Sequence, residues 1–330
     1  MTQRARKLVG TLIALACLCA HGEVFAQSST QTWPSKPIRW IVPYTPGGYT
    51  DYMTRAVTQK LAEALGQTIV IENRPGANSV IGADLVAKAP PDGYTFGTVI
   101  AAHATNATLN PKLPFDPLKD FTYFSLMSVA PLIMVAHPSV PASNNKELIA
   151  YAKANPGKLN FGSSGVGAAA HLTMEMFKSR VGISMIHVPY KGTAGALQDT
   201  IGGRINLMFD VVGSMMPHVR AGTIKAIVVT AKDRMPAAAE VPTMAESGVP
   251  DFVSGSWAGV IAPAGVPKDI VNRLASEIAK IIRDPAMRDK LAGQGYESIG
   301  SNPEEYLAFY RTEVALWAKV IKDSGTKAEE

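Results

Sequence analysis

The sequence predicts an α/β protein of two lobes, one of them assembled from two separated stretches of chain. Three observations lead there. Strand and helix patterns alternate from residue 36 to about residue 100, and a second alternating set begins at Ser143. Extended apolar runs near residues 130 and 254 are placed to carry the chain from one lobe to the other and back. The last quarter is helical and completes the first lobe.

Residues 38–42 form an apolar first strand. Over 51–65, Met53, Val57, Leu61 and Leu65 fall on one helical stripe, and Gly66 stands where a C-capping glycine belongs. The β-branched stretch 68–72 is a second strand, and Asn73-Arg74-Pro75-Gly76 is a turn. Asn78 or Ser79 is expected to cap a helix that runs to Lys88. Pro90-Pro91-Asp92-Gly93 ends it, and 94–100 is the third strand. Such alternation implies parallel strands with crossover helices. His103 and Asn106 are expected in the following loop, ahead of Pro111, Pro114 and Pro117. Residues 121–129 and 132–136 read as extended runs interrupted by Pro131.

The second set comprises a helix over Asn145–Ala154, a strand at 159–161, a glycine-rich loop at 162–167 and a helix at 168–180. A strand at 184–188 leads through Pro189-Tyr190-Lys191-Gly192 to a helix that Thr193 is expected to cap. Strands at 205–209, ending in Asp210, and at 224–230 follow. The proline-rich stretch 235–250 leads to the extended return at 255–262. Helices over Lys268–Arg283, 285–294 and 303–322 finish the chain, with a short strand near 296–299. The expected lobes are therefore 31–130 with 254–330, and 131–253. Two crossings of this kind permit closure about a defined axis.

The first 26 residues read as a cleavable export signal: Arg4, Arg6 and Lys7, an apolar run over 8–20, then Val24-Phe25-Ala26 before Gln27. A lipoprotein reading at Cys17 is weaker, because Ala14-Leu15-Ala16 lacks leucine at the usual position. Cleavage removes Cys17 and Cys19, and the formal charge falls from +5 to +3. The mature chain is then an exported, thiol-free protein without the basic footprint that nucleic acid requires. No later run has membrane-spanning length.

The stretch Pro43-Tyr44-Thr45-Pro46-Gly47-Gly48-Tyr49-Thr50-Asp51 joins strand to helix through prolines, adjacent glycines and hydroxyls. That composition makes a loop whose N–H groups turn outward to cradle an anion. Gly162-Ser163-Ser164-Gly165-Val166-Gly167 repeats the arrangement in the second lobe, so a small carboxylate is expected between the two. An acid beside an anion repels it, which assigns Asp51 to locking its loop. The candidate ligand-binding residues are Tyr44, Thr45, Gly47, Gly48, Tyr49, Thr50 and Asp51 on the first loop, with His103 and Asn106 beyond the third strand. The second lobe supplies Ser163, Ser164, Gly165, Val166, Gly167 and His171, together with Tyr190, Thr193 and Asp210.

Other chemistries fit less well. Gly165-Val166-Gly167-Ala168-Ala169-Ala170 matches a loose dinucleotide pattern, but the next strand carries His187 and no acid. Ser164 and His171 suggest a hydrolase, yet the elbow pattern fails because Val166 stands where its last glycine is needed. His103, His137, His171, His187 and His218 lack metal-ligand spacing. No cofactor, metal or catalytic group is expected; the rival class is a secreted hydrolase, or a sensor-coupled binding protein using the same cleft.

Several motifs together resemble the Bug-type extracytoplasmic receptors of tripartite tricarboxylate transporters. They are the loop at 43–51, Asn73-Arg74-Pro75-Gly76-Ala77, Pro91-Asp92-Gly93-Tyr94-Thr95, His187-Val188-Pro189-Tyr190-Lys191-Gly192 and Val241-Pro242-Thr243-Met244-Ala245-Glu246. The resemblance spans the mature chain. It implies a type II periplasmic binding protein fold of two Rossmann-like lobes, and a carboxylate held by both loops, partly through water. It also implies delivery to a membrane permease with a large and a small subunit. A monomer is expected, and a sensor kinase is the alternative partner. Tyr49 stands where many relatives carry a small residue or proline. With Tyr44 and Tyr190 it offers a surface for a flat ring, which points to an aromatic dicarboxylate such as terephthalate. The chain is similar to terephthalate-binding receptors of that family; an aliphatic ligand such as citrate or a dicarboxylic amino acid is the alternative.

Overall fold

The computed structural model describes residues 33–190 and 192–327, so the expected export signal and Lys191 lie outside the described residues. From Lys36 onwards the elements run β1 (Ile38–Val42), α1 (Tyr49–Leu65), β2 (Ile69–Asn73), α2 (Val80–Ala87), β3 (Thr95–Ile100), α3 (Ala102–Leu109) and β4 (Phe121–Ala136). Next come α4 (Asn145–Ala154), β5 (Asn160–Ser163), α5 (Ala169–Val181), β6 (Ile186–Pro189), α6 (Thr193–Ile201), β7 (Leu207–Val211), α7 (Val212–Arg220) and β8 (Lys225–Val229). The chain ends with β9 (Gly255–Pro263), α8 (Lys268–Arg283), α9 (Pro285–Gly293), β10 (Glu297–Ser298) and α10 (Pro303–Ser324).

The strands form two half-sheets that share β4. In the first, β1 lies parallel between β2 and β3, and β9 runs antiparallel between β3 and β4. In the second, β5 lies parallel between β6 and β7, while β4 is antiparallel to both β7 and β8. The two extended runs expected on either side of Pro131 are in fact one strand of 16 residues. Pro131 breaks nothing because it sits at a change of partner: 121–131 pair with β9 and 132–136 with β7 and β8. A missing N–H is tolerated at such a junction.

Each half has an apolar core. One gathers Ile41, Val99, Tyr123, Trp257, Tyr306 and Trp317; the other gathers Ile133, Met208, Met215 and Val229. The α10 helix lies directly on β9, where a Cβ on Gly259 would come within 2.1 Å of the Tyr306 ring, so only glycine fits. Ala169 and Leu172 of α5 are buried in the first core although they follow β5 of the second half-sheet. The halves therefore share apolar contact as well as two strand crossings.

Four local expectations are corrected. His103 and Asn106 stand on α3, not in a loop. A further helix, α7, follows Asp210. Neither Asn78 nor Ser79 caps α2 with its side chain; the backbone is left-handed at both, with φ of 46° and 79°. Thr193 is the first residue of α6 and does not cap it.

Candidate functional site

The first loop is held in shape by Asp51. Its carboxylate accepts hydrogen bonds from Gly47 N–H at 3.0 Å, Arg55 Nε at 2.9 Å and Asn73 Nδ2 at 3.0 Å. Burial raises the Asp51 pKa, but the bonds from Arg55, Asn73 and Gly47 outweigh it, so the carboxyl titrates below its ordinary value. Asn73 also donates to Tyr44 O at 3.0 Å, tying the loop to the end of β2. No side chain caps α1. Its first-turn N–H groups, near Gly48, Tyr49 and Thr50, thus carry the positive end of a helix of 17 residues without an internal acceptor side chain. Thr45 is exposed, with its Oγ1 3.7 Å from where a Cβ on Gly192 would lie.

The second loop is built differently. Ser163 is fully buried; its Oγ accepts from Gly165 N–H at 3.2 Å and bonds to Gly165 O at 3.0 Å and His187 Nε2 at 2.7 Å. The His187 ring stacks on His171, centroids 3.8 Å apart, and on Phe161. His171 Nδ1 accepts Gly167 N–H at 3.1 Å, so the imidazole braces the loop from behind. Burial, with His187 and Lys178 nearby, lowers the His171 pKa to about 3; burial and Lys178 lower that of His187 to about 4. Both rings are neutral at neutral pH. No side chain caps α5 either.

The Ser163–His187 pair is not a nucleophile and its base. Ser163 is buried and spent on its own loop, and Ser164 has no hydrogen-bond partner among the described residues. Among those residues, no group of three His, Cys, Asp or Glu is placed to hold a metal ion.

The remaining candidates separate into two groups. Asp210, at the end of β7, accepts from Thr193 Oγ1 at 2.7 Å and from Val211 N–H at 2.7 Å. Burial raises its pKa against those two bonds. Asn106 donates to Asn78 O at 2.8 Å, and Val166 O accepts from Asn78 Nδ2 at 3.1 Å. Gly192, just ahead of Thr193, lies against Thr45 of the first loop, and Tyr190 N–H donates to Ser163 O within the second half. The other candidates are engaged by side chains around them. His103 is 1% exposed, its ring enclosed by Phe115, Phe121, Tyr123 and Tyr310, which makes it a core residue. Tyr49 is buried, with its hydroxyl 2.8 Å from Ser128 Oγ and its ring against Tyr296 at 4.8 Å, so it offers no open face for stacking. Tyr190 lies over Gly162 and Gly195 and donates to Asp199 at 2.6 Å. Burial and that carboxylate push its pKa up to about 12.

Asn78, Thr105 and His187 belong to the same region and were not among the candidates. The motif containing His187 marked its neighbourhood, but only the β5–β6 pairing sets His187 beside Phe161 and Ser163. A cavity of about 570 Å³ lies at the crossings, lined by Pro131, Ser254, Trp257, Tyr296 and Trp317, and none of the candidate residues lines it.

Comparison with known proteins fits this geometry. Residues 53–326 match the tripartite tricarboxylate transporter family receptor. Protein BugT of Bordetella pertussis is 34% identical over 318 residues, covering 96% of this chain and 98% of BugT. The R. palustris protein Rpa4515, solved with adipate, is 36% identical with a TM-score of 0.86, over 89% of this chain and 99% of that one. MatC from Rhodopseudomonas palustris, solved with bound malate, is 31% identical with a TM-score of 0.81, over 88% of this chain and 100% of that one. The fold is thus the α/β fold of periplasmic binding proteins. The chain belongs to the tripartite tricarboxylate transporter receptor family, whose members are solute-binding receptors and not enzymes.

Proposed function

We propose that this receptor captures a small dicarboxylate between its two half-sheets and delivers it to the membrane permease of a tripartite tricarboxylate transporter. The observation that carries the reading is the pair of loops leading into α1 and α5, one from each half, each locked by a side chain of its own: Asp51 on Gly47 N–H and His171 on Gly167 N–H. Neutral N–H and hydroxyl donors hold an anion while leaving it free to depart. In this reading the halves act as lobes, 31–130 with 254–330 against 131–253, hinged at the crossings. Adipate and malate, the ligands of the two R. palustris relatives, support a dicarboxylate. An aromatic member such as terephthalate has less support, since the Tyr49 ring is covered and the Tyr44 hydroxyl is buried.

Titration calorimetry on the exported protein, whose mass reports removal of residues 1–26, tests this. The panel is adipate, malate, citrate and terephthalate. Saturable binding of a dicarboxylate without turnover is expected. No binding across the panel, or product formation, contradicts it.

A further inference from the structure

The two halves are joined at the second loop by hydrogen bonds that the ligand-binding reading does not use. Asn78 Nδ2, just ahead of α2, donates to Val166 O at 3.1 Å, and Thr105 Oγ1, on α3, donates to Gly167 O at 2.8 Å. The other ends of the same two peptides are held from within the second half. Gly167 N–H donates to His171 Nδ1, and Ala168 N–H donates to Gly165 O at 3.2 Å. A planar trans peptide has its N–H and C=O on opposite sides. Each of these two peptide planes is therefore fixed on its N–H side by its own half and on its carbonyl side by the opposite half.

The donors are themselves set in place. The backbone is left-handed at Ala77, Asn78 and Ser79 in succession, with φ of 46°, 46° and 79°. Residues other than glycine keep that conformation only where their surroundings enforce it. Asn106 Nδ2 holds the segment through Asn78 O at 2.8 Å. The fit leaves no slack. A Cβ on Gly167 would lie 2.3 Å from Leu109 Cδ1 and 3.3 Å from Asn78 Nδ2.

We propose that Asn78 and Thr105 are positioning residues that give the second loop its ligand-ready shape only when the two halves meet. Closure and assembly of the second anion cradle are then a single event. When the halves part, the Val166 and Gly167 carbonyls lose their partners and the turn into α5 is held from one side. This rests on the receptor reading, but its first test needs no ligand.

Spin labels on cysteines placed at the exposed Lys60, on α1, and Lys153, on α4, report the separation of the halves. Thr105→Val keeps the shape of the side chain and removes its donor; Asn78→Gly removes the other donor and suits the left-handed backbone. Each is expected to raise the open-to-closed ratio of the ligand-free protein about five-fold, the worth of one such bond. Distance distributions that match the parent protein in both Thr105→Val and Asn78→Gly overturn the proposal. A lower melting temperature with unchanged distances assigns the two residues to stability alone and also counts against it. If adipate, malate and terephthalate all fail to bind the parent protein, the receptor reading falls while the label distances still decide this one.

Discussion

Burying an imidazole with neither ring nitrogen partnered among the described residues is costly, and His103 does so inside four aromatic rings. Burial lowers its pKa from 6.5 to about 3. The unfolded chain takes up a proton at this residue below pH 6.5, and the folded chain does not until about pH 3. The stability it permits is therefore complete above about pH 6.5 and is lost as the pH falls towards 3, by about 1.4 kcal/mol per unit. His103→Leu should keep the neutral-pH stability within about 1 kcal/mol and flatten that part of the acid slope. Urea denaturation between pH 4 and 7 checks it, and an unchanged slope contradicts it. Asp51 was legible at this scale, because an acid at the start of a helix beside an anion loop has few other uses. Tyr49 was not. Its partners, Ser128 and Tyr296, lie far along the chain, and no local pattern reports their approach.

At the level of elements, the alternation that defines β1, α1, β2, α2 and β3 was readable because each has its own periodicity and punctuation. The α3 helix was not, since buried positions fall all round its eight residues and leave no polar face to mark a period. The α7 helix was hidden by Pro217 in its interior. Packing between elements was out of reach in the same way. Glu313 on α10 accepts both Trp257 Nε1, from β9, at 2.7 Å and Trp317 Nε1 at 2.8 Å. Burial raises the Glu313 pKa against these two bonds. Glu313→Ala orphans two indole N–H groups and should cost about 2–4 kcal/mol, whereas Glu313→Gln keeps an acceptor and should cost less. Denaturant midpoints, with near-UV dichroism reporting the indoles, decide this; equal losses in both variants would assign the role to charge.

Across the whole molecule, the fold follows from one strand shared by two half-sheets and one strand returning beside it, and the sequence signals near residues 130 and 254 located both. How the halves meet was not legible, because Asn78 and Thr105 carry no motif and act on backbone carbonyls some 60 to 90 residues away. In the proposed receptor, one carboxylate ligand engages the N-termini of α1 and α5 at once. Amide chemical shifts during a titration with adipate, malate or terephthalate measure this directly. The amides of Gly48, Tyr49 and Thr50 on one side, and of Ala169 and Ala170 on the other, should move together with a single saturation curve. Movement confined to one set, or none in either with every ligand, would contradict the account.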